Sequence, residues 1–511
     1  MTLAAAQEQL RQKDLQLAVL TEQLAQAQRQ NAALQHQLEQ LTRRLYGPRS
    51  ERYQPGQLLF DDLLIAGLEQ PLSPPPASPP AVAVEAHTRQ GAGHGREELP
   101  AHLERVEILL DLPDEEKVCP ATGQPLRKIG EERTEKLAYV KERLYVKVFI
   151  RPKYASAAKT NGSSDSGIVL AELPPFALAK CKADSSLLAH VAVAKYVDHQ
   201  PLYRQERIFL REGLAVSRRT MDDWLLDLAD EPLAPLYAAL KAELLGRAVL
   251  FTDDTPVPLQ LKGRGTTKQA RMWVYRGDTG PPVVVFDFAP DRCKERPLTF
   301  LDGYRGWVHA DAYSGYDELF RREGIIEVGC WVHARRHLDE ALSSSPAEAA
   351  EMLARIRRLY QIEATAKDLS AAARAQLRTA QAGPIVAELF TRGEQLLARA
   401  LPKSPLGQAL TYLLNQRLPL QRYLGDGRLR PDNNLAENVI RPLALGRRNW
   451  MFCGSERGGR AAALYFSLFQ TCLLNQVNPQ AWLQDILDRL PRHPRDRLAE
   501  LLPHRWHPAT V

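Results

Sequence analysis

The chain has 511 residues, too many for one ordinary domain, and this length predicts three or four domains. With 44% hydrophobic and 25% charged residues it has the composition of a soluble globular protein, without the run of about 18 apolar residues that a membrane-spanning helix needs and without an apolar signal core. A net charge of +6 is compatible with a nucleic-acid partner, and six scattered cysteines without paired spacing predict a reducing, cytoplasmic location.

Residues 1–50 carry a heptad repeat that predicts a coiled-coil dimerisation helix. One apolar seam takes every seventh position, at Leu3, Leu10, Leu17, Leu24, Asn31, Leu38 and Leu45. A single Asn in such a seam favours a two-stranded coil at some cost in stability. The alternative is a single helix that packs on the body of the protein, but the strict period of seven and the polar flanks favour an intermolecular coil.

The composition of residues 70–97 predicts a linker, and the residue pattern of 98–180 predicts a strand-rich module. The linker is rich in Pro, Ser and Gly, which do not sustain regular hydrogen-bonded structure. In the module, Arg105–Leu110 and Arg143–Ile150 alternate apolar and polar residues with the period of a β-strand.

Residues 181–245 predict helices, two of which are similar to a helix-turn-helix. Leu202–Leu210 is amphipathic, Gly213 makes a turn, and Ser217 is a candidate N-cap for a second helix. In a helix-turn-helix, Arg218 and Arg219 would meet phosphates or base edges. The alternative is a helical hairpin that braces the neighbouring domain.

Residues 246–450 predict an α/β domain with a helical insertion at about 345–400, and residues 451–511 a C-terminal helical region. The predicted strands are Val249–Thr252, Ala270–Arg276, Pro282–Phe288, Trp307–Ala310 and Ile325–Cys330, with a helix at Cys293–Leu301. The insertion is rich in Ala, Arg and Leu. It would cover an active site or grip a ligand, and the sequence does not distinguish the two.

Three acidic residues in this domain are candidate metal ligands. Asp253 and Asp311 each end an apolar run that predicts a strand, and Glu437 lies near the start of a predicted helix. Each acid alone is as typical of a turn or cap, but together they could converge on hard divalent cations, which prefer oxygen ligands. Asp254 competes for the first position and Asp432 for the third, although Asp432 precedes the apolar run as a helix cap does.

Five stretches, in this order, closely resemble the insertion-sequence 66 family of DDE transposases. They are Thr252–Val257, His309–Tyr316, Gly329–Arg336, Asp432–Arg441 and Arg448–Ser455. The resemblance implies a multidomain α+β protein with a ribonuclease-H-like catalytic domain, in which the first strand is central and the fourth lies beside it. Asp253 and Asp311 would then meet.

The resemblance also implies the chemistry of these acids. Asp253 and Asp311 would share two Mg²⁺ or Mn²⁺ ions, and Glu437 would complete the second ion's site. One ion would activate water or a DNA 3′-hydroxyl and the other would stabilise the leaving oxygen, with no covalent intermediate. The family usually has Asp-Glu-Thr where this chain has Asp-Asp-Thr, so Asp253 is the better match for the first acid.

The family's zinc-binding module corresponds to residues 98–180, but its metal ligands are lost. Such a module presents two cysteine pairs, because structural zinc takes four ligands in a tetrahedron. Here the first pair is reduced to Cys119, with Thr122 in its partner's place, and Tyr154–Ala158 contains no cysteine. We therefore expect a degenerate module that folds without structural zinc, and its DNA binding stays open.

Basic and amide residues near the acids are candidate DNA contacts. They are Arg335, Arg336, Arg441, Arg447, Arg448 and Asn449, in addition to the two arginines of the predicted helix-turn-helix. Solvated helix faces are the alternative. The segment Gly454–Gly459 would accept phosphates as a glycine-rich loop or form an ordinary surface turn. Cys330 and His333 supply half a metal site at most and are more typical of packing with a hydrogen bond.

The function expected from this resemblance is DNA transposition. The protein would bind terminal inverted repeats, cleave double-stranded DNA there and join the 3′-ends to target DNA, as a cytoplasmic, nucleoid-associated homo-oligomer of at least two chains. Small accessory proteins of the same element are further expected partners. The alternatives are an inactive DNA-binding regulator, motivated by the lost zinc ligands, and a nuclease that selects DNA shape.

Overall fold

The computed structural model describes residues 99–508, apart from residues 100, 102, 118–124, 141–142, 156–167, 180, 262 and 264. The predicted coiled coil at 1–50, the linker at 70–97 and Cys119 with Thr122 lie outside the described residues. The chain divides into two compact units. Leu99–His333 and Gln416–Val511 form one, and Ala334–Asn415 is the described part of the other.

A small sheet confirms the strands predicted in the module at 98–180. Its strands are β1 (Glu104–Leu109), β2 (Arg127–Val140), β3 (Arg143–Ala155) and β4 (Ile168–Leu170). β3 pairs antiparallel with β2 and β4 and parallel with β1. Alternate residues of β3, such as Val146 and Val148, are buried, as the period of two predicts. That the module needs no structural zinc stays a prediction.

Four helices follow this sheet. They are α1 (Ser185–Tyr196), α2 (Leu202–Arg211), α3 (Arg218–Asp230) and α4 (Ala234–Leu245). Gly213 has a φ of 79°, and the Ser217 side chain accepts a hydrogen bond from the backbone N–H of Thr220. The predicted glycine turn and N-cap between α2 and α3 are therefore confirmed.

The larger sheet of the first unit has the order β7-β6-β5-β8-β9. Its strands are β5 (Val249–Gln260), β6 (Thr267–Gly277), β7 (Val283–Ala289), β8 (Gly306–His309) and β9 (Ile325–Val328), with the short helices α5 (Glu295–Phe300) and α6 (Asp317–Phe320) between them. β5 is central, antiparallel to β6 and parallel to β8. The expected neighbours of the first strand are confirmed.

The prediction that acids and a proline stop the first strand at Thr252 is wrong. β5 continues through Asp253 and Pro256 to Gln260. β8 pairs only with Val249–Phe251, so beyond Phe251 β5 has a strand partner on one side, β6. A proline lacks the amide donor that a second strand would need, and it is tolerated at such an edge.

Helices from the C-terminal part of the chain complete this unit. They are α12 (Arg417–Gln421), α13 (Asn434–Trp450), α14 (Glu456–Leu474) and α15 (Pro479–Arg489). The side chains of Ser467 and Thr471 on α14 accept hydrogen bonds from the amides of Phe286 and Val284, which satisfies the outer edge of β7. The segment Gly454–Gly459 is not a loop throughout, since Ser455 caps α14 and Gly458 and Gly459 lie in its first turn, and phosphate contact there stays a prediction.

The helix α7 (Trp331–Ala341) leads into the helical insertion, which is longer than the predicted 345–400. Its helices are α8 (Pro346–Thr365), α9 (Ala371–Leu377), α10 (Gly383–Leu397) and α11 (Pro405–Asn415), with π-helical geometry at Arg378–Ala382. The buried Arg378 guanidinium donates to both carboxylate oxygens of Glu363, at 2.8 and 2.7 Å. In the described part of the chain, no helix has the length and apolar character to cross a bilayer.

Replacing Gly459 by Ala is expected to destabilise the unit by about 1 to 3 kcal/mol. A Cβ at Gly459 would lie 2.5 Å from the Phe288 ring, so α14 would have to move away from β7. Gly458→Ala is the matched control, because its nearest contact would be the Ser455 Oγ at 3.4 Å. Urea denaturation of both variants measures the difference, and equal midpoints would contradict this account of the packing.

Candidate active site

The pairing of β5 with β8 positions two of the three predicted acids. Phe251 and His309 are register partners, and Asp253 and Asp311 each follow their partner by two residues. Parallel strands in register carry equivalent positions to the same level of the sheet. The two carboxylates are therefore brought to the same end of the β5–β8 pair, as expected.

The carboxylate of Asp253 is buried beside other negative charges. Burial, together with the nearby charges of Asp311 and Glu437, raises the pKa of Asp253 to about 8. All three predicted acids thus share one electrostatic environment. An ionised Asp253 is costly there, and a bound cation would offset that cost.

The turn after β8 holds Asp311 in place. Ala312 has a φ of 63°, a conformation that residues with a side chain rarely adopt. The Asp311 carboxylate accepts a hydrogen bond from the backbone N–H of Tyr313 at 3.1 Å. The Tyr313 hydroxyl donates to the backbone oxygen of Arg292 at 2.7 Å. Strained backbone that its surroundings hold in place is typical of functional sites.

The third acid reaches the sheet through the start of α13. The buried Asn433 side chain donates a 2.8 Å hydrogen bond to the backbone oxygen of Thr252, the residue before Asp253. Asp432 accepts a hydrogen bond from the backbone N–H of Asn434, the first residue of α13. The N-cap of α13 is Asn433, so the prediction that Asp432 caps the helix is wrong, although Asp432 does bond the first helical amide from just outside the helix. Glu437, in the first turn, is the acid whose charge acts on the pKa of Asp253.

Asp254, the alternative candidate for the first metal ligand, forms ion pairs with two arginines. Its side chain is 3% exposed and lies 3.0 Å from Arg271 and 2.7 Å from Arg292. The Arg292 guanidinium also lies over the Tyr313 ring, 3.9 Å from its centroid. Successive side chains of a strand point to opposite faces. The charge of Asp254 is balanced by protein cations, which leaves Asp253 as the better candidate for a metal.

The predicted DNA contacts differ in their surroundings. Arg218 and Arg219 are exposed at the start of α3, and Arg441 and Arg448 are exposed on α13. Two others on α13 already have protein partners. Arg447 donates to the backbone oxygen of Pro256, and Asn449 accepts from Arg204 at 3.2 Å. The remaining two, Arg335 and Arg336, lie on α7 in the other unit, half-buried and exposed.

A cluster that the sequence analysis did not assemble includes one of the three acids. Among the described residues, the ligand atoms of Cys330, His333 and Glu437 all lie within 4.8 Å of one another. The three predicted acids do not form so tight a group there. The Cys-x-x-His spacing was the sequence signal for two of these ligands. The third, Glu437, comes from a helix about 100 residues further along the chain.

Asp253→Asn is expected to stabilise the protein near pH 8, because the neutral amide avoids the cost of an ionised carboxylate that is desolvated beside other acids. The folded-state pKa of Asp253 is raised above the unfolded value of about 4, so wild-type stability falls as the pH rises from about 4 towards 8. The variant should not show this decrease in stability with pH. Denaturation of both proteins between pH 5 and 8 measures the difference in their free energies of unfolding.

Mg²⁺ should raise the melting temperature of the wild type and not that of this variant. The control is Asp287→Asn, which removes another buried acid whose pKa is raised to about 6, and it should keep the response to Mg²⁺. Parallel stability curves for the wild type and Asp253→Asn across this pH range would contradict the assigned environment.

Three family models match parts of the chain. The family model described as "Transposase IS66 family" matches residues 180–461, and the "IS66 C-terminal element" matches residues 467–504. A third model, "Transposase C of IS166 homeodomain", matches residues 33–108.

Two similar relatives come from Sinorhizobium fredii (strain NBRC 101917 / NGR234). "Uncharacterized protein y4qI" is 35% identical over 426 residues, which cover 80% of this chain and 77% of the relative. "Uncharacterized protein y4hP" is 31% identical over 502 residues, which cover 92% and 88%. With one family model matching more than half of its length, the chain belongs to the IS66 family of transposases.

Proposed function

We propose that this protein catalyses metal-dependent cleavage of DNA at the terminal inverted repeats of its mobile element and joins the 3′-ends to target DNA. The observations that carry the proposal are the strand register that brings Asp253 and Asp311 to the same end of the β5–β8 pair, and the proximity of Glu437, whose charge acts on the pKa of Asp253. The sheet order, with β5 central and β8 beside it, supports a ribonuclease-H-like catalytic domain.

The donor set fits Mg²⁺ or Mn²⁺, because hard divalent cations prefer carboxylate oxygens. Asp253 and Asp311 would be shared by two ions and Glu437 would hold the second. When bound, the two ions would activate the attacking water or 3′-hydroxyl and stabilise the leaving oxygen. The Asp311 turn and the Asn433 bond would hold two of the acids in position, since the first fixes the Asp311 carboxylate and the second fastens the start of α13 beside Asp253.

Arg292 is a basic residue beside these acids. Its guanidinium is fixed between Asp254 and the Tyr313 ring, and it lies within electrostatic range of Asp311. A fixed, partly exposed guanidinium next to the metal ligands is suited to contact a DNA phosphate. We propose that Arg292 orients the phosphate that is cut.

DNA binding is proposed for the exposed arginines. Arg218 and Arg219 on α3, and Arg441 and Arg448 on α13, would contact phosphates, and α2 and α3 have the connection of a helix-turn-helix. Arg335 and Arg336 are kept as DNA contacts of the helical insertion. Arg447 and Asn449 would position α13 through the partners described above.

We further propose that the chain pairs through the heptad repeat at 1–50, which would bring two DNA ends together. Small accessory proteins of the same element and a cytoplasmic, nucleoid-associated location belong to the same proposal. The second candidate function is an inactive DNA-binding regulator, and the loss of the cysteine pairs in the module at 98–180 favours it.

Asp311→Asn should reduce nicking of the element's ends by about a thousandfold, because the metal supplies several kcal/mol of transition-state stabilisation. DNA binding should be retained. The assay uses labelled fragments of both ends with purified protein and Mg²⁺. Asp302→Asn is the matched control, an exposed acid whose loss should leave nicking unchanged.

Two outcomes would contradict the proposal. Nicking by Asp311→Asn at the rate of the wild type would remove Asp311 from the site. End binding by the wild type without any nicking, with target DNA and accessory proteins supplied, would favour the regulator.

Replacing both Arg218 and Arg219 by Ala should weaken DNA binding about tenfold and reduce the slope of log K against log salt by about 2. The physical reason is the loss of two phosphate contacts, each of which releases a counterion on binding. Arg497→Ala, an exposed arginine paired with Glu500, is the control. An unchanged slope would favour the alternative in which α2 and α3 only brace the catalytic domain.

A further inference from the structure

The cluster of Cys330, His333 and Glu437 combines three different ligand types in one place. It offers a thiol sulfur, an imidazole nitrogen and a carboxylate oxygen, all within 4.8 Å of one another. Cys330 is fully buried, and the side chains of His333 and Glu437 are 17% and 24% exposed. The sulfur thus lies at the closed end of the cluster, with the other two ligands nearer the surface.

Backbone contacts of the fold hold the cluster together. Cys330 precedes α7, and the amide of the next residue, Trp331, donates to the backbone oxygen of Pro431 at 2.9 Å. The Trp331 indole N–H donates to the backbone oxygen of Leu420 at 3.1 Å. The start of α7 is thereby fastened to the segments before α13, whose first turn carries Glu437.

Two backbone amides are directed at the Cys330 sulfur. The backbone N–H of Asn433 donates to it at 3.3 Å, and the backbone N–H of His333 donates as well. Burial nevertheless raises the pKa of the Cys330 thiol to about 12, so a bound cation, and not these donors alone, would hold it as the thiolate that ligates metals.

This donor set selects a different cation from the three acids. Thiolate and imidazole ligands bind zinc-class ions, whereas Mg²⁺ requires oxygen ligands. Three protein ligands with a fourth position open to solvent are typical of zinc sites that are not purely structural. Glu437 belongs to both groups of ligands.

We propose that Cys330, His333 and Glu437 form a binding site for a thiophilic divalent cation of the zinc class, and that this cation competes with the catalytic ions for Glu437. The second clause rests on the function proposed above. Zinc would then inhibit DNA cleavage by drawing the Glu437 carboxylate towards α7, so metal availability would regulate the same site that Mg²⁺ activates.

Cobalt(II) titration of the full-length protein, without DNA or Mg²⁺, tests the site itself. We expect a sulfur-to-cobalt charge-transfer band in the near ultraviolet that saturates at one equivalent and that zinc displaces. Cys330→Ser should abolish the band, and His333→Ala should weaken cobalt binding more than about 100-fold, since lost second-shell partners alone cost 10- to 100-fold. Cys293→Ser, which removes an exposed cysteine, is the control and should keep the charge-transfer band.

Two results would overturn the site. One is the absence of the band in the wild type, and the other is its persistence in Cys330→Ser, which would assign cobalt to another cysteine. Should Cys330→Ser fail to fold, as judged by circular dichroism, His333→Ala decides, because its partly exposed ring can be removed without opening the core. Unchanged cobalt affinity in that variant would mean that His333 only positions Glu437.

Competition is tested by the zinc dependence of nicking at fixed Mg²⁺. One equivalent of zinc should inhibit the wild type and Cys293→Ser at least about tenfold more than Cys330→Ser, each relative to its own rate without zinc, a difference of about 1.4 kcal/mol. Equal inhibition would overturn the competition. The cobalt band does not depend on cleavage, so a protein that shows the band and never nicks DNA would sink the proposed function and keep the metal site.

Discussion

The short parallel pairing of β5 with β8 is the constraint on which the candidate site depends. It spans only Val249–Phe251, yet it brings Asp253 and Asp311 to the same level of the sheet. Everything else around the site maintains that arrangement. β6 supports β5 along its whole length, the strained Ala312 turn directs Asp311, and Asn433 fastens α13 to the backbone beside Asp253.

Two adjacent acids of β5, Asp253 and Asp254, have neighbours of opposite charge. Asp254 is buried between Arg271 and Arg292, so its charge is compensated within the protein. Asp253 is desolvated and lies among like charges, and both effects raise its pKa. A fold gains nothing in stability from such crowding, and perturbed acids of this kind are concentrated at functional sites. A bound cation would relieve the same crowding.

Glu437 has a second set of neighbours, and this gives the first turn of α13 two possible roles. Towards β5 it would extend the proposed oxygen-ligand site, and towards α7 it would complete the proposed sulfur–nitrogen–oxygen site. Hard and soft cations would therefore compete for one carboxylate. Cys330 and His333 at the start of α7 would then make DNA cleavage sensitive to the concentration of zinc-class ions.

Several features were predictable from local sequence because their causes are local. The amphipathic period of α2, the glycine turn at Gly213 and the Ser217 cap follow from a few neighbouring residues, as do the strands of the larger sheet to within a few positions. The three acids and their order were recognisable from the resemblance. Tertiary structure alone decided the continuation of β5 past Pro256, since a proline is tolerated only where no second strand pairs. It also decided that Gly459 lies in a helix against Phe288, that Arg271 and Arg292 remove Asp254 from competition, and that Glu437 meets Cys330 and His333. Each of these depends on contacts between residues far apart in the chain, which a local pattern does not encode.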